Sequence, residues 1–319
     1  MAKPRPSSWF LFQLQPWFGT LVSLKLHLYF PYTKIRNLQV TIRHIGGFLS
    51  LYALSKEKFY IDKARSTADQ LLLAFDTPTG IPRSLVIHLA NLLQIMDGRW
   101  VALLFCNPIY RDKVQKVRDA LDNAKKINGL YPNYMSPETG KFQGDHISLG
   151  AMGDSFYETL LKSWIRSRKD KQAYKMYKEA SAAIRKHMVF KSKGGLSYLA
   201  ELRNGGVEHK MGHLACFTPG MFALEAINEP DPNEKIAIMQ LAEDLGETCH
   251  ESYVRAAARI GPEMFYFEEG TDAMTTKGDA GYILRPEVIE GWFLLVETHQ
   301  KQEIQRMGMG CSHSPQQAL

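Results

Sequence analysis

Apolar residues recur at helical spacing through most of the chain. In residues 58–74, Tyr60, Ala64, Ala68 and Leu71 fall on one side of a helix, as a period of 3.6 residues requires. The same pattern predicts helices over residues 36–54, 113–126, 147–166, 171–188, 212–226, 234–257 and 286–299. Strand patterns are weak and confined to residues 195–202 and 264–267. The chain is therefore predicted to be all-α, with paired helices as in a bundle, a solenoid or an α/α toroid.

Two segments differ from this pattern. Residues 83–106 are unusually apolar, and Asp97 is their only carboxylate. Residues 301–319 lose the helical period and end rich in Ser, Pro and Gln. A buried helix and a frayed terminus are the ordinary explanations.

The N-terminus combines features of a leader with features that argue against one. Lys3 and Arg5 precede an apolar run over residues 9–24, as in a signal sequence. Pro16 interrupts the run, which is also short for a membrane-spanning helix. We predict that residues 1–34 are an atypical leader, with a signal anchor as the alternative.

Composition and charge exclude some classes of function. The chain has 319 residues, of which 45% are hydrophobic and 23% charged, as is usual for globular proteins. The net charge is +6, but the Lys and Arg residues are spread along the predicted helices, without a basic block. No nucleic-acid binding is therefore expected.

The four cysteines do not suit a structural zinc site, because no two of them form a CxxC pair. Cys216 and Cys249 could form a disulfide in an oxidising compartment, or they could remain buried thiols. Their spacing alone leaves both alternatives open.

Three acids are predicted to stand at junctions between loops and helices: Asp154, Glu263 and Glu287. Arg285 precedes Glu287 by two residues, and Glu290 lies one helical turn beyond it. An acid in the first turn commonly does no more than stabilise the helix dipole. A set of such acids also suits glycoside hydrolysis, which needs one protonated and one ionised carboxyl group.

Asp154 allows both interpretations. It begins a strong helical pattern, and Ser155 with Glu158 has the spacing of a capping box. It could equally stand at the mouth of a helix and take part in chemistry.

His209 and His213 are four residues apart in HKMGH, the spacing of half a metal site on a helix. The Glu of the HExxH motif is missing, which argues against a zinc protease. Hydrogen-bonded histidines are the more ordinary interpretation.

Seven short motifs follow one another in a fixed order. They are NGLYPNY (128–134), GDSFYETLLKSW (153–164), GGLSYLAE (194–201), EHKMGHLACFTPGMFAL (208–224), TCHESY (248–253), GPEMFYF (261–267) and YILRPEVIE (282–290). Together they resemble the class I α-1,2-mannosidases, glycoside hydrolase family 47. The resemblance covers residues 35–82 and 107–300.

The resemblance implies a fold, an activity and a cellular setting. The family fold is an (α/α)7 barrel, and its members are inverting, calcium-dependent enzymes. They remove terminal α-1,2-linked mannose from high-mannose N-glycans on glycoproteins in the endoplasmic reticulum and Golgi. Many are type II membrane proteins with a lumenal catalytic domain. Met152 and Gly212 match the Golgi type rather than the endoplasmic-reticulum type.

The resemblance also assigns roles to individual residues. Asp154, Glu263 and Glu287 match the active-site carboxylates, with Glu287 as the base that activates water. His213, Arg285 and Glu290 match residues at the mannose-binding subsite. Cys216 and Cys249 match the disulfide of the family, which favours that alternative over free thiols.

The chain departs from the family pattern in three places. No Glu occurs between Glu57 and Glu138, where the family has a further catalytic acid. The hairpin whose Thr binds calcium would follow Leu319, so no metal ligand is assigned. Before Ile35, the chain also lacks part of the N-terminal helical pattern of the family.

We therefore expect an incomplete toroid with helices lost at the N-terminus, near 83–106 and after 300. Residues 35–300 would form a partial catalytic domain, followed by a divergent tail over 301–319. The expected function is α-1,2-mannosidase-related, with the activity of this chain in question. The alternative is a non-catalytic glycan-binding or interaction fragment.

Overall fold

A computed structural model of the chain describes residues 44–83, 107–167, 170–268 and 272–299. These residues fall into two compact units. One unit comprises residues 44–83, 107–124 and 136–141, and the other comprises 125–135, 142–167, 170–268 and 272–299. The predicted leader 1–34, most of the unusual segment (84–106) and the tail 301–319 lie outside the described residues.

Among its described residues, the first unit contains three α-helices: α1 (Gly47–Ser55), α2 (Lys58–Leu71) and α3 (Pro108–Asn123). A 3-10 turn over Leu72–Phe75 continues α2. The helices enclose a core of Ile45, Ala64, Ala68 and Tyr110. The third helix begins five residues earlier than predicted, because the Asn107 side chain accepts a hydrogen bond from the Ile109 N–H and Pro108 suits the first turn.

The described part of the second unit contains five α-helices. They are α4 (Asp154–Ser167), α5 (Lys171–His187), α6 (Thr218–Asn228), α7 (Pro232–Arg255) and α8 (Glu287–His299). The carboxylates of Asp170 and Asp231 cap α5 and α7 by accepting hydrogen bonds from backbone N–H groups. Helix α6 is buried along most of its length and packs against both α7 and α8.

Three short antiparallel pairs of strands join the helices of the second unit. They are β1 (Val189–Lys191) with β2 (Ser197–Leu199), β3 (Glu201–Arg203) with β4 (Gly206–Glu208), and β5 (Lys210–Gly212) with β6 (Met264–Tyr266). The two predicted strand regions are present. The predicted helix over 212–226 is divided, because β5 ends at Gly212 and a 3-10 helix (His213–Phe217) precedes α6.

The predicted helix over 147–166 was wrong in its first turns. Ile147 forms a bridge with Leu202, which draws this segment away from helical geometry. The loop that follows turns at Met152, whose φ is 78°, and at Gly153. A Cβ atom on Gly153 would lie 1.9 Å from the Ser148 carbonyl oxygen, so the tight turn needs a glycine there. The helix therefore begins at Asp154 and not earlier.

Candidate active site

Strands β5 and β6 bring two of the predicted site residues together. Gly212 pairs with Met264 in antiparallel register, so the residue after β5 and the residue before β6 are neighbours. These residues are His213 and Glu263. The His213 amide N–H donates a hydrogen bond to the Glu263 carbonyl oxygen at 2.9 Å.

Arg285 binds the Glu263 carboxylate at two points. Its Nε donates to Oε2 at 2.6 Å, and its Nη2 donates to Oε1. A paired contact of this kind fixes the orientation of both groups. The guanidinium also interacts electrostatically with Glu287 and Asp154. Arg285 therefore links all three predicted catalytic carboxylates.

Asp154 is the first residue of α4. Its carboxylate accepts hydrogen bonds from the Ser155 N–H at 2.7 Å and from the Ser155 hydroxyl at 3.3 Å. Burial raises the pKa of this carboxyl, and the two hydrogen bonds and Arg285 only partly offset the effect. Asp154 thus supports the start of α4 and still lies within electrostatic reach of Arg285.

Glu287 begins α8 and is half-buried. Burial, with smaller contributions from the negative charges of Glu290 and Asp154, raises the pKa of its carboxyl to about 7. Arg285 acts in the opposite direction. Within the part of the chain that the structure describes, the buried Oε2 atom of Glu287 has no hydrogen-bond partner. A carboxyl with these properties can exchange a proton near neutral pH.

Glu290, one turn further along α8, shares a cation with a second acid. The Lys162 ammonium donates to Glu290 Oε1 at 3.2 Å and also pairs with Glu158, one turn before it on α4. Burial raises the pKa of Glu158 to about 7, although Lys162 opposes the increase. The Lys162–Glu290 ion pair joins α4 to the first turn of α8, the two helices that carry Asp154 and Glu287.

His213 is almost completely buried, with 1% of its surface exposed. Its Nε2 atom is hydrogen-bonded to the Tyr253 hydroxyl at 2.6 Å. Burial and the positive charge of Arg285 together lower the pKa of the imidazole to about 4, and the negative charge of Glu263 partly opposes them. His213 is therefore neutral at pH 7.

The structure joins Cys216 and Cys249 in a disulfide with an S–S distance of 2.06 Å, the pairing that the family resemblance implies. It connects the 3-10 helix that begins at His213 to helix α7.

His209 does not share a site with His213, contrary to the half metal site suggested by the spacing. The intervening residues form β5 and not a helix, so the two histidine side chains are hydrogen-bonded to different residues. The His209 Nδ1 atom is hydrogen-bonded to the Tyr198 hydroxyl at 2.7 Å. The hydrogen-bonded interpretation of this histidine is the correct one.

The six predicted site residues therefore form one electrostatically connected group in the second unit. The charge of Arg285 acts on Asp154, Glu263 and Glu287. The ring of His213 interacts electrostatically with Arg285 and Glu263. The charge of Glu290 acts on Glu287. Sequence reasoning missed the contributions of Glu158, Lys162 and Tyr253. The spacing of Glu158 and Lys162 on one helix could have revealed their pairing. Only tertiary structure places Lys162 beside Glu290 and Tyr253 beside His213.

The calcium ion implied by the resemblance does not find a complete set of ligands among these residues. In the ranges that the structure describes, no group of three or more His, Cys, Asp or Glu side chains could hold a metal ion. Glu158 and Glu290 already share Lys162, and calcium needs about six to eight oxygen ligands. The residues described here do not by themselves fit a calcium site.

Comparison with known proteins decides the family. The model of glycosyl hydrolase family 47 matches residues 20–94 and 99–317. The chain belongs to glycosyl hydrolase family 47. The matched ranges extend beyond residues 35–82 and 107–300, to which the motifs limited the resemblance. They also include residues 83–94 and 99–106 of the unusual apolar segment. The predicted domain boundaries themselves stay predictions.

Two curated relatives illustrate how similar the family 47 chain is to full-length members. It is 53% identical over 277 residues to the mannosyl-oligosaccharide 1,2-alpha-mannosidase mans-2 of Caenorhabditis elegans, covering 81% of this chain and 47% of the relative. It is 41% identical over 292 residues to the mannosyl-oligosaccharide 1,2-alpha-mannosidase IB of Homo sapiens, covering 84% of this chain and 45% of the relative. The chain thus spans just under half the length of these two relatives.

A solved structure supports the fold. The alpha-1,2-mannosidase from Trichoderma reesei superposes with a TM-score of 0.75 over 86% of this chain and 67% of that chain, at 22% identity. The prediction of an all-α, α/α barrel fold for this family 47 chain is therefore confirmed. The helices expected to be lost near 83–106, before Ile35 and after residue 300 fall outside the described residues.

Proposed function

We propose that this chain is an α-1,2-mannosidase that hydrolyses terminal α-1,2-linked mannose of high-mannose N-glycans with inversion. The observation that carries the proposal is Glu287, a carboxyl whose pKa lies near 7 and whose Oε2 atom is buried without a partner among the described residues. It stands in a group with Asp154 and the Arg285–Glu263 pair. The family membership and the names of the relatives support the same activity.

The residues suit different steps of an inverting reaction. In its ionised form, Glu287 would take a proton from the water that attacks the anomeric carbon. Asp154 is the described carboxyl best suited to protonate the leaving oxygen, because burial favours its protonated form. Both carboxylate oxygens of Glu263 are already bound by Arg285, which leaves Glu263 less suited to that role. The bond to the leaving sugar breaks, and β-mannose is the first product.

The remaining residues would bind the sugar and order the site. Arg285 and Glu290 present charged groups for hydrogen bonds to sugar hydroxyls, and His213 adds a neutral ring. No step is assigned to calcium. If the activity requires the ion, its ligands have to include oxygen atoms outside the described side chains.

The direct test is mannose release from a high-mannose N-glycan by the purified 319-residue chain, measured by mass spectrometry with calcium and with a chelator. We expect release by the wild-type chain and a loss of about 10²-fold or more in Glu287→Gln. Release that the chelator abolishes would establish the calcium requirement. Lack of release from a folded wild-type chain, with and without calcium, would contradict the proposal.

A second candidate function is glycan binding without hydrolysis. It is favoured by the absence of any Glu between Glu57 and Glu138, where the family pattern has a catalytic acid. Loss of such an acid removes a contribution of about 10²–10⁴-fold to the rate. Calorimetric titration with the same glycan separates the two functions, because a binding module would retain the intact glycan.

We further propose that the chain works in the lumen of the Golgi or endoplasmic reticulum, where its partners would be glycoproteins that carry high-mannose N-glycans. The Cys216–Cys249 disulfide supports an oxidising compartment. In the part of the chain covered by the structure, no helix has both the length and the apolar character to cross a bilayer. The candidate anchor over residues 9–24 lies outside that part, so a type II membrane topology stays a proposal. Protease protection of the chain in isolated microsomes would test it.

A further inference from the structure

Two connections join the 3-10 helix (His213–Phe217) to helix α7. One is the Cys216–Cys249 disulfide, and the other is the 2.6 Å hydrogen bond between His213 Nε2 and the Tyr253 hydroxyl. His213 and Cys216 are three residues apart, which aligns them on one side of a 3-10 helix. Cys249 and Tyr253 are four residues apart, which aligns them on one side of α7. The covalent and the hydrogen-bonded connection therefore run side by side.

Close packing holds the Tyr253 ring in place. A Cβ atom on Gly261 would lie 2.4 Å from the Cε2 and Cζ atoms of Tyr253 and 2.8 Å from its hydroxyl oxygen. The rings of Tyr282 and Trp292 lie 6.5 and 6.1 Å away, centroid to centroid. The Tyr253 side chain is 8% exposed. Its hydroxyl consequently has little freedom to leave the His213 ring.

The other ring nitrogen of His213 depends on this hydrogen bond for its orientation. Nδ1 is buried and has no hydrogen-bond partner among the described residues. The charged groups that act on the ring are Arg285 and Glu263. Without the Tyr253 hydroxyl, both nitrogens would lack a partner, and neither tautomer would be preferred by a hydrogen bond.

We propose that Tyr253 is a positioning residue whose hydroxyl holds the His213 ring in one orientation and one tautomer beside the Arg285–Glu263 pair. The Cys216–Cys249 disulfide keeps the two helices at the separation that this hydrogen bond requires. The link from this arrangement to mannose binding rests on the proposed function, whereas the arrangement itself does not.

The chain contains a matched control for this inference. Tyr198 and His209 form a second tyrosine–histidine hydrogen bond, of 2.7 Å, outside the group of six predicted site residues. Tyr198→Phe removes a hydroxyl of the same kind as Tyr253→Phe. Gly261→Ala is a further variant, because it displaces the Tyr253 ring without removing its hydroxyl.

The test is ¹⁵N nuclear magnetic resonance of the histidine rings at neutral pH, with the His213 signals identified by their loss in His213→Gln. We expect a single neutral tautomer of His213 in the wild-type chain and in Tyr198→Phe, and a mixture in Tyr253→Phe and Gly261→Ala. A mixture in the wild-type chain would overturn the inference even if no variant folds. Wild-type His213 signals in folded Tyr253→Phe would also overturn it.

Calorimetric titration with methyl α-mannoside tests the link to sugar binding. Tyr253→Phe should weaken the affinity by about five- to tenfold, in line with the loss of one hydrogen bond, whereas Tyr198→Phe should not change it. If the wild-type chain binds no mannoside, the proposed function fails while the ring signals still decide the role of Tyr253. If Tyr253→Phe changes the tautomer but not the affinity, the link to mannose binding is wrong.

Discussion

At the scale of single residues, burial and ion pairing give different surroundings to acids that look equivalent in the sequence. Asp154, Glu263 and Glu287 all stand at the start of a helix or strand. Glu263 is ion-paired with Arg285, whereas burial raises the pKa of Asp154 and Glu287. The different surroundings of the three acids depend on tertiary neighbours, which no sequence spacing reports.

The pKa of Glu287 predicts the pH dependence of mannose release. Glu287 acts as a base in its ionised form and Asp154 as an acid in its protonated form, so the pH profile of kcat/KM should be bell-shaped. Glu287 sets the rising limb, whose midpoint should lie at about 7. In Glu290→Gln the midpoint should move to lower pH, because the charge of Glu290 raises the pKa of Glu287. The measurement is the pH profile of kcat/KM for both proteins. A midpoint near the ordinary value of a glutamate would contradict the assignment.

Glu287 should also affect the pH dependence of stability. Between about pH 4.5 and 7, the folded chain holds a proton on Glu287 that the unfolded chain has released. The contribution of Glu287 to stability is thus present at low pH and is lost as the pH rises through this window. From about pH 4.5 to 7, the unfolding free energy of Glu287→Gln should gain more than about 1 kcal/mol relative to wild type.

Urea unfolding of the two proteins at several pH values measures this difference. Glu158, whose pKa is also raised by burial, is present in both proteins, so its effect cancels in the comparison. Parallel stability curves for the two proteins would show that Glu287 has an ordinary pKa.

At the scale of elements, helix positions were more predictable than the segments between them. Capping residues and apolar periods place most helices within a few residues of their observed bounds. The first turns of the helix predicted over 147–166 were wrong, because the bridge between Ile147 and Leu202 depends on a segment far along the chain. The pairing of β5 with β6, which makes His213 and Glu263 neighbours, is equally non-local.

The packing of helix α8 against the segment that leads into α6 should depend on a close approach at Gly291. A Cβ atom there would lie 2.8 Å from the Cys216 carbonyl oxygen and 3.5 Å from Pro219 Cβ. Gly291→Ala should therefore lower the unfolding free energy by about 1–3 kcal/mol, as expected for overpacking. The control is Gly281→Ala, because a Cβ atom on Gly281 would meet nothing within 4 Å. Equal stability of the two variants in urea unfolding would rule out this close approach.

At the scale of the whole molecule, the family resemblance anticipated more than the physical pattern alone. Apolar periodicity predicted an all-α chain but left bundle, solenoid and toroid open. The seven motifs indicated the α/α barrel and the Cys216–Cys249 pair, which spacing had left undecided. Neither the apolar pattern nor the motifs predicted that Lys162 pairs with both Glu158 and Glu290, or that Tyr253 is hydrogen-bonded to His213. These contacts form where separate helices pack together.

The disulfide should stabilise the fold as a whole. It joins residues separated by 33 positions, and removing it with Cys216→Ala and Cys249→Ala should lower the unfolding free energy by about 2–4 kcal/mol. A thiol reductant should lower the melting temperature of the wild-type chain and leave that of the double variant unchanged. Equal melting temperatures of wild type and double variant without reductant would contradict a stabilising role.

The most direct test of the account is the anomeric form of the first mannose released from a high-mannose N-glycan, followed by proton nuclear magnetic resonance during the reaction. We expect β-mannose first, with α-mannose appearing only as the free sugar equilibrates, because water activated by Glu287 attacks opposite the leaving oxygen. Release of α-mannose first would contradict the assigned roles of Glu287 and Asp154. Absence of any mannose from a demonstrably folded chain would contradict the proposed activity itself.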